Sequence, residues 1–348
     1  MSQMPDSGFV EAELLAAARR GDAQCFSKLA EPFRYELQVH CYRILGSLYE
    51  AEDMVQETML RAWKRLETYE GRASFRAWLY KIATHACLDL LDRRKSRRLL
   101  PDQCGPASGP HTQISAPTTE ILWLEQVPDE WLGDVSSLNP EARYTESESV
   151  SLAFLTALQA LPPRQRAVLI LRDVLDFSAI ETAKVLEHTV SAVNSSLHRA
   201  RTALSKQYQE PQNQKIDERT QSLLDNFMEA WESADVDSLV ALLKEDATLA
   251  MPPSPSWYQG KEAIRGFVAA TVFADGGMFG GNAVHRWKLV ETRANCAPAF
   301  AIYQRTGTNE YQAFGIHILQ CNGDQLSQIT SFIDPSLPGY FALPHVLK

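Results

Sequence analysis

Between Thr189 and Leu204, side chains able to read the edge of a nucleic-acid base recur on one helical face: Ser191, Asn194, Ser195, His198 and Arg199, with Arg201 and Thr202 close behind. Ser, Asn and Arg offer the donor and acceptor pairs that base edges match, while Arg and His reach phosphates or guanines. The opposite stripe (Val193, Leu197, Ala200, Leu204) is apolar and belongs in a core. Just upstream, Ser178-Ala-Ile-Glu181 has the spacing of a capping box and opens a shorter helix ending near Leu186. Two helices across a tight turn, the second polar and basic outside, predict a DNA-binding helix-turn-helix. An ordinary helical hairpin is the alternative.

A second constellation lies between Arg72 and Arg98. Trp78, Lys81 and His85 share a predicted helix beginning near Ser74, preceded by Arg72 and ending in Asp92-Arg-Arg-Lys-Ser-Arg-Arg98 with Arg93 and Arg94. Aromatics interleaved with cations suit single-stranded DNA, where bases stack and the backbone is neutralised. Core packing is the competing role for Trp78. A third set, Asp53, Gln56, Glu57 and Arg61, occupies the polar face of a helix over 50–67 whose apolar stripe is Ala51, Val55, Met59, Ala62 and Leu66. Exposed acids on one face fit a basic protein partner, although a plain solvated face would look the same.

The elements that carry these sets are distributed unevenly in charge. The chain of 348 residues carries a net −9, but residues 1–98 balance at +2, 99–150 at −8, 151–207 at +3 and 208–348 at −6. Mildly basic helical blocks therefore flank an acidic connector, and an acidic domain follows. Residues 99–150, with prolines at 101, 106, 110, 117, 128 and 140, read as an extended, self-repelling linker. Its island Ile121-Leu-Trp-Leu-Glu-Gln-Val127 is apolar enough to dock on a neighbour. The six cysteines show no metal-ligand spacing, so no metal site, cofactor or disulfide is expected. Lacking a signal peptide or a long apolar run, the chain is expected in the cytoplasm, off the membrane.

After residue 210 the texture turns to α+β. Helices are predicted at 217–233, 236–243 and 261–272, around a proline-rich bend at 252–255. Strands follow near 284–293, 298–306, 310–320 and 325–333, forming a curved antiparallel sheet. The tail Asp334–Pro344 holds too many prolines for a helix or central strand, and its Leu337, Tyr340, Phe341 and Leu343 should bury against a neighbour.

The motifs resemble a known family. Tyr49-Glu-Ala-Glu-Asp-Met-Val-Gln-Glu-Thr58 with Ala62-Trp63 is similar to the polymerase-binding helix of sigma-70 domain 2. Ser74-Phe-Arg-Ala-Trp-Leu-Tyr-Lys-Ile-Ala83, with Asp89 and Arg93-Arg94, resembles the segment that melts and reads the −10 element. Leu161-Pro-Pro-Arg-Gln-Arg166, Leu169-Ile-Leu-Arg172 and the helix-turn-helix through Leu197-His-Arg-Ala-Arg201 resemble domain 4, which reads the −35 element. Without a domain between them, the resemblance is to the extracytoplasmic-function class, sigma-G-like. It implies partners, core RNA polymerase and promoter DNA, with Asp53, Gln56 and Glu57 contacting the coiled coil of the largest polymerase subunit and the acidic linker threading its cleft. Two departures stand out: Leu186-Glu-His188 replaces the usual Leu-Gly-hydrophobe, and His85 stands where many relatives carry Asn.

Phe227–Trp231, Asp235–Leu239 and Trp257–Ile264 resemble a SnoaL-like cone, helices wrapped on a bent sheet around an apolar pocket. The expected chain is thus multidomain: an all-α sigma domain 2 (1–98), the acidic linker (99–150), an all-α sigma domain 4 with the helix-turn-helix (151–207), and a SnoaL-like α+β domain (217–348) that regulates them. Its candidate pocket residues are Trp257, Tyr258 and His317, for a small-molecule ligand. Two rivals remain open at this level. One is an isomerase or cyclase using Asp246, His317 and Tyr258 for proton transfer; the other is a sigma-independent DNA-binding regulator, which would have no need of the Asp53/Gln56/Glu57 face.

Overall fold

A computed structural model describes residues 7–94, 96–132, 146–208 and 217–348. The chain divides into two compact units, one from residues 1–97 and 131–209 and the other from 98–130 and 210–348.

The first unit is helical. Helix α1 spans Ser7–Arg19, α2 Ala23–Leu45, α3 Leu48–Lys64 and α4 Phe75–Arg94. Local chemistry sets these boundaries. Asp22 caps α2 by accepting from the Gln24 and Cys25 amides, and Gly46, at φ 68°, closes it in the left-handed region. Ser47 then caps α3 through the Glu50 amide. Leu37, Cys41 and Ile44 of α2 are buried with Ala51 and Val55 of α3 and Leu79, Ala83 and Cys87 of α4. The second helical group comprises α5 (Glu146–Val150), α6 (Leu152–Gln159), α7 (Pro163–Leu169), a π turn over Ile170–Val174, α8 (Ala179–Leu186) and α9 (Val190–Leu204).

One buried side chain ties the two groups. The Arg166 guanidinium, 2% exposed, donates from Nη1 to the Ile44 carbonyl of α2 and to Gln159 Oε1 (2.6 Å), and from Nη2 to the carbonyls of Gln159 and Leu161, each at 3.1 Å. Burial and the nearby Arg94 charge pull its pKa down to about 9, still high enough to keep the cation at neutral pH.

The second unit is α+β. Helices α10 (Glu218–Glu232), α11 (Val236–Ala241) and α12 (Lys261–Ala270) pack on a curved sheet of β1 (Leu243–Ala250), β2 (Trp257–Gln259), β3 (Trp287–Ala294), β4 (Ala297–Arg305), β5 (Tyr311–Asn322) and β6 (Gln325–Phe332), in the order β2-β1-β6-β5-β4-β3. The long strands lie where alternation placed them. Strand β1 was not anticipated, and it pairs parallel with β6, so the sheet is not wholly antiparallel. Leu-Lys-Glu-Asp-Ala-Thr-Leu-Ala reads poorly as a strand because its burial does not alternate and Lys, Glu and Ala favour helices. The tail also departs from expectation. Leu337–Tyr340 forms a helical turn, α13, with proline in its first positions, and Val346–Leu347 adds a short strand, β7, beside β5. Phe341 is buried, and Tyr303 donates from its hydroxyl to the Pro344 carbonyl at 2.8 Å. The tail thus folds onto its own sheet.

The expected linker at 99–150 differs most. Helix resumes at Glu146, residues 133–145 lie outside the described set, and residues 98–130 are integrated with the cone. Side chains of the cone hold this connector by its backbone: Trp257 Nε1 donates to the Gly105 carbonyl (2.9 Å), the Tyr258 hydroxyl to Thr112 (3.2 Å) and Ser254 Oγ to Ser115 (2.9 Å). At its far end Val127 exchanges hydrogen bonds with Asn295, and Asp129 accepts from the Cys296 amide (2.7 Å) and Arg293 Nε (2.9 Å). The island at 121–127 docks as its composition suggested, with Leu124 and Val127 buried.

His40, wholly buried in α2, supplies a pH test. Thr84 Oγ1 gives its proton to the Tyr80 carbonyl (2.7 Å), so the His40 Nε2–H must donate to Thr84 (2.8 Å). Burial, with the Arg43 and Arg76 charges, drives the His40 pKa down to about 3. A depressed histidine pKa means the unfolded chain binds the extra proton. Stability is therefore full above about pH 6.5 and declines toward pH 3, by at most about 1.4 kcal/mol per pH unit from this group. Urea unfolding of wild type and His40→Leu at pH 7 and pH 5 should show a smaller acid loss in the variant; equal losses would refute the assignment.

Candidate nucleic-acid interface

The helix-turn-helix forms as its sequence dictates. Ser178 and Glu181 complete a reciprocal capping box at the start of α8, and Thr189 caps α9 through the Ala192 amide. Between them Glu187 takes the left-handed conformation (φ 55°, ψ 41°) that glycine adopts without strain. The Leu186-Glu-His188 departure therefore keeps the turn geometry with a strained, charged residue at its corner. Ser191, Asn194, Ser195, His198 and Arg199 are all exposed on α9. The Arg199 guanidinium bonds back to Ser195 Oγ (3.1 Å) and Ser196 Oγ (3.3 Å), leaving its charge at the helix surface.

Arg201 is different. Its Nε and Nη2 donate to the two oxygens of Asp173, at 2.8 and 2.5 Å, and the Asp173 side chain is only 2% exposed. This fork clamps α9 to the π turn. Arg201, expected to contact DNA, is held in this pair with its side chain 39% exposed, and withdrawing the cation would leave a buried carboxylate unpaired.

Of the residues expected to read single-stranded DNA, Arg72, Trp78, Lys81 and His85 line one cleft of about 740 Å³. Trp78 is half-buried against Tyr69 and Phe75, ring centroids 5.2 and 5.6 Å away, so it both packs and borders the cleft. The other wall is α8. Lys81 Nζ lies 2.9 Å from Glu187, the His85 Nε2–H donates to the Val185 carbonyl (2.9 Å), and the Tyr80 and Phe177 rings meet edge to face at 5.5 Å. The Lys81 ammonium, aided by His85, holds the Glu187 carboxyl below the usual range. Arg93 is exposed, whereas Arg94 lies apart from the cleft, its Nη1 2.7 Å from both oxygens of Glu50.

Asp53, Gln56, Glu57 and Arg61 share one concavity of about 650 Å³ on the α3–α4 surface. Arg61 Nε donates to Glu57 (2.6 Å) and Nη1 reaches Asp89 (3.4 Å), the first contact chiefly raising the guanidinium pKa. Sequence reasoning missed Leu60, 47% exposed in the middle of this patch. Its signal was an apolar residue four positions after Gln56 on an otherwise polar face.

In the cone, His317 lines the apolar cavity, but Trp257 and Tyr258 do not. Trp257 is engaged with Gly105, and Tyr258 stacks on Phe267 at 4.3 Å beneath the connector. Asp246 is exposed, so the acid–base set Asp246, His317 and Tyr258 does not converge. Among the described residues no cluster could hold a metal ion, and no helix is long and apolar enough to cross a membrane.

Comparison with known proteins follows the same division. Residues 31–97 match sigma-70 region 2, residues 151–204 match sigma-70 region 4, and residues 224–327 match the SnoaL-like domain. Over 342 residues the chain is 40% identical to the ECF RNA polymerase sigma factor SigG of Mycobacterium tuberculosis, covering 95% of this chain and 86% of that protein. It is 28% identical over 193 residues to SigW of Bacillus subtilis, 54% of this chain and 91% of the other. The crystal structure of the Mycobacterium tuberculosis extracytoplasmic function sigma factor SigJ shares the fold, with a TM-score of 0.55 and 19% identity over 90% of this chain and 98% of that one.

The two arginines of α9 should separate experimentally. Arg201→Ala is expected to lower stability by about 3 kcal/mol, since it strands Asp173. Arg199→Ala should leave the unfolding midpoint unchanged while weakening DNA binding and reducing the salt slope by about one. Urea unfolding and salt-dependent fluorescence anisotropy on promoter DNA decide; a stable Arg201→Ala would return that residue to the DNA-reading set.

Proposed function

The chain belongs to the extracytoplasmic-function RNA polymerase sigma factors, which direct the polymerase to promoters, and on that premise we propose a division of labour among its surfaces and a regulatory role for its cone. Core polymerase docks on Asp53, Gln56, Glu57, Leu60 and Arg61. Arg72, Trp78, Lys81, His85 and Arg93 engage the −10 element, and Ser191, Asn194, Ser195, His198 and Arg199 engage the −35 element. The cone regulates by holding the connector that joins the two sigma regions. Transcription chemistry belongs to the polymerase.

The observation that carries the regulatory reading is the integration of residues 98–130 with the cone. This segment is the covalent tie between region 2 and region 4, so its docking limits how far the two regions can separate. The pairing of Lys81 with Glu187 supports the need for such separation, because it occupies a cation that would otherwise meet DNA. The cone's reading as an enzyme is disfavoured by the dispersal of Asp246, Tyr258 and His317.

Two experiments test this. Charge reversal at Asp53 and Glu57 should abolish co-elution with core polymerase without loss of helical circular dichroism; co-elution at native strength would refute the docking face. The second uses Gly266, on α12, where an added Cβ would stand 2.5 Å from Pro110 Cβ and 2.7 Å from the Pro110 carbonyl. Gly266→Ala suits a helix but cannot coexist with the docked connector. It should raise promoter-specific transcription several-fold, and unchanged activity would remove the connector from the regulatory scheme.

A further inference from the structure

The cone encloses a cavity of about 430 Å³ between its helices and sheet. That volume exceeds any packing void and falls in the range of small-molecule sites. Trp231, Phe267, Trp287 and Ile302 form its apolar walls, and no charged residue is among those lining it. A charged occupant would lose its hydration without recompense. His317 and three serines, Ser115, Ser254 and Ser331, interrupt the apolar surface. His317, 1% exposed, meets Ser331 Oγ through Nδ1 at 2.7 Å, while its Nε2 has no partner among the described residues. Burial drives the His317 pKa down to about 3, so the ring is neutral. Because Ser331 can donate to Nδ1 or accept from it, Nε2 can serve as donor or acceptor. A hydroxyl group satisfies either state.

The cavity is preformed on one side and closed by the connector on the other. Arg286 donates to the carbonyls of Val272, Ala274 and Gly281, each at 3.0 Å, and so fixes the loop that presents Phe279. Opposite, Ile114–Pro117 of the connector lines the cavity directly. This wall is held by Ser115, whose amide donates to Ser256 Oγ (2.9 Å), and by Thr118, whose amide donates to the Pro253 carbonyl (3.1 Å).

We propose that this cavity binds an uncharged, largely apolar small molecule carrying a hydroxyl group, and that its occupancy clamps the connector to the cone. The ligand's body packs between Trp231 and the Ile114/Pro117 wall, and its hydroxyl meets His317 Nε2. Contacts to Ile114 and Pro117 exist only while the connector is docked, so ligand and connector stabilise each other reciprocally. The ligand site stands on the geometry of the cone; its consequence for transcription rests on the regulatory reading above.

The test uses the full chain with 2-naphthol and, lacking the hydroxyl, naphthalene. Calorimetry should give one saturable site for 2-naphthol and about tenfold weaker binding of naphthalene, the loss expected for a buried hydrogen bond. Ile302→Trp, which fills the cavity, should abolish binding. His317→Phe, the second variant should the first fail to fold, should make the two probes equivalent. Hydrogen exchange of the Ser115 and Thr118 amides should slow several-fold with 2-naphthol bound. No saturable binding, binding indifferent to both variants, or unchanged exchange at both amides would overturn the proposal. In transcription with core polymerase, 2-naphthol should repress wild type and spare Gly266→Ala. Intact binding and amide protection without repression would refute the regulatory reading and leave the ligand site standing.

Discussion

Arg166 is a cation buried without a carboxylate partner among the described residues, and that constraint organises the helical unit. Its guanidinium has left water, a transfer that costs several kcal/mol unless the N–H groups find fixed acceptors. The acceptors come from the Ile44 carbonyl of α2, the Gln159 side chain and carbonyl at the end of α6, and the Leu161 carbonyl. Carbonyls at helix ends carry partial negative charge, so a single cation satisfies several orphan acceptors at once. The arrangement works only when the C-terminus of α2 and the turn between α6 and α7 converge on the same point. Placement of α7, and through it α8 and α9, therefore follows from where α2 ends, which Gly46 decides.

That placement sets the electrostatics of the cleft between α4 and α8. With α8 against α4, one cation that could face phosphates is already neutralised, Lys81 by Glu187. The Lys81 pair is partly solvated, with side chains 38% and 65% exposed. Such pairs contribute only about 0–1 kcal/mol and weaken with salt. Backbone strain at Glu187 costs a similar amount. A DNA strand offering phosphates to Lys81 therefore competes against a weak partner, and the closed cleft is easily exchanged for a nucleic-acid contact. Arg201 and Asp173 form the opposite case, since the acid is buried and the pair persists whatever the outer face of α9 touches.

Features with local causes were legible in the sequence. The capping box at Ser178/Glu181, the Thr189 cap and the apolar stripe of α9 are written within a few residues of the structure they produce. The same holds for the Asp53/Gln56/Glu57/Arg61 face. What escaped had distant causes. Arg201 looks like its neighbour Arg199 until the π turn brings Asp173 from 28 positions away. Tyr258 and Trp257 resemble pocket aromatics, yet a segment more than 140 residues upstream claims their polar atoms. Strand β1 carries helix-favouring residues and extends because β6 and β2 offer it hydrogen-bonding edges. His317 alone among the proposed pocket residues lines the cavity, from a strand in the middle of the sheet.

The connector shows why a segment of such composition suits a reversible contact. Proline and small polar residues form no ladder of their own, so residues 105–118 are held by separate hydrogen bonds donated by Trp257, Tyr258 and Ser254 and accepted by Ser256. Each contributes about 1 kcal/mol net, against an ordering entropy of similar size per residue. The far end is anchored more firmly, with Asp129 gripped by Arg293 and Cys296, while Arg98 ties the segment to itself through the Trp123 carbonyl and Glu125. Burial alone raises the Asp129 pKa, and its two donors pull it back. Beside that firm end, a middle near energetic balance can release while the anchor keeps it within reach. A sequence that reads as a passive spacer is thereby a poised one, because the backbone of residues 105–118 depends on a partner surface for most of the bonds it makes.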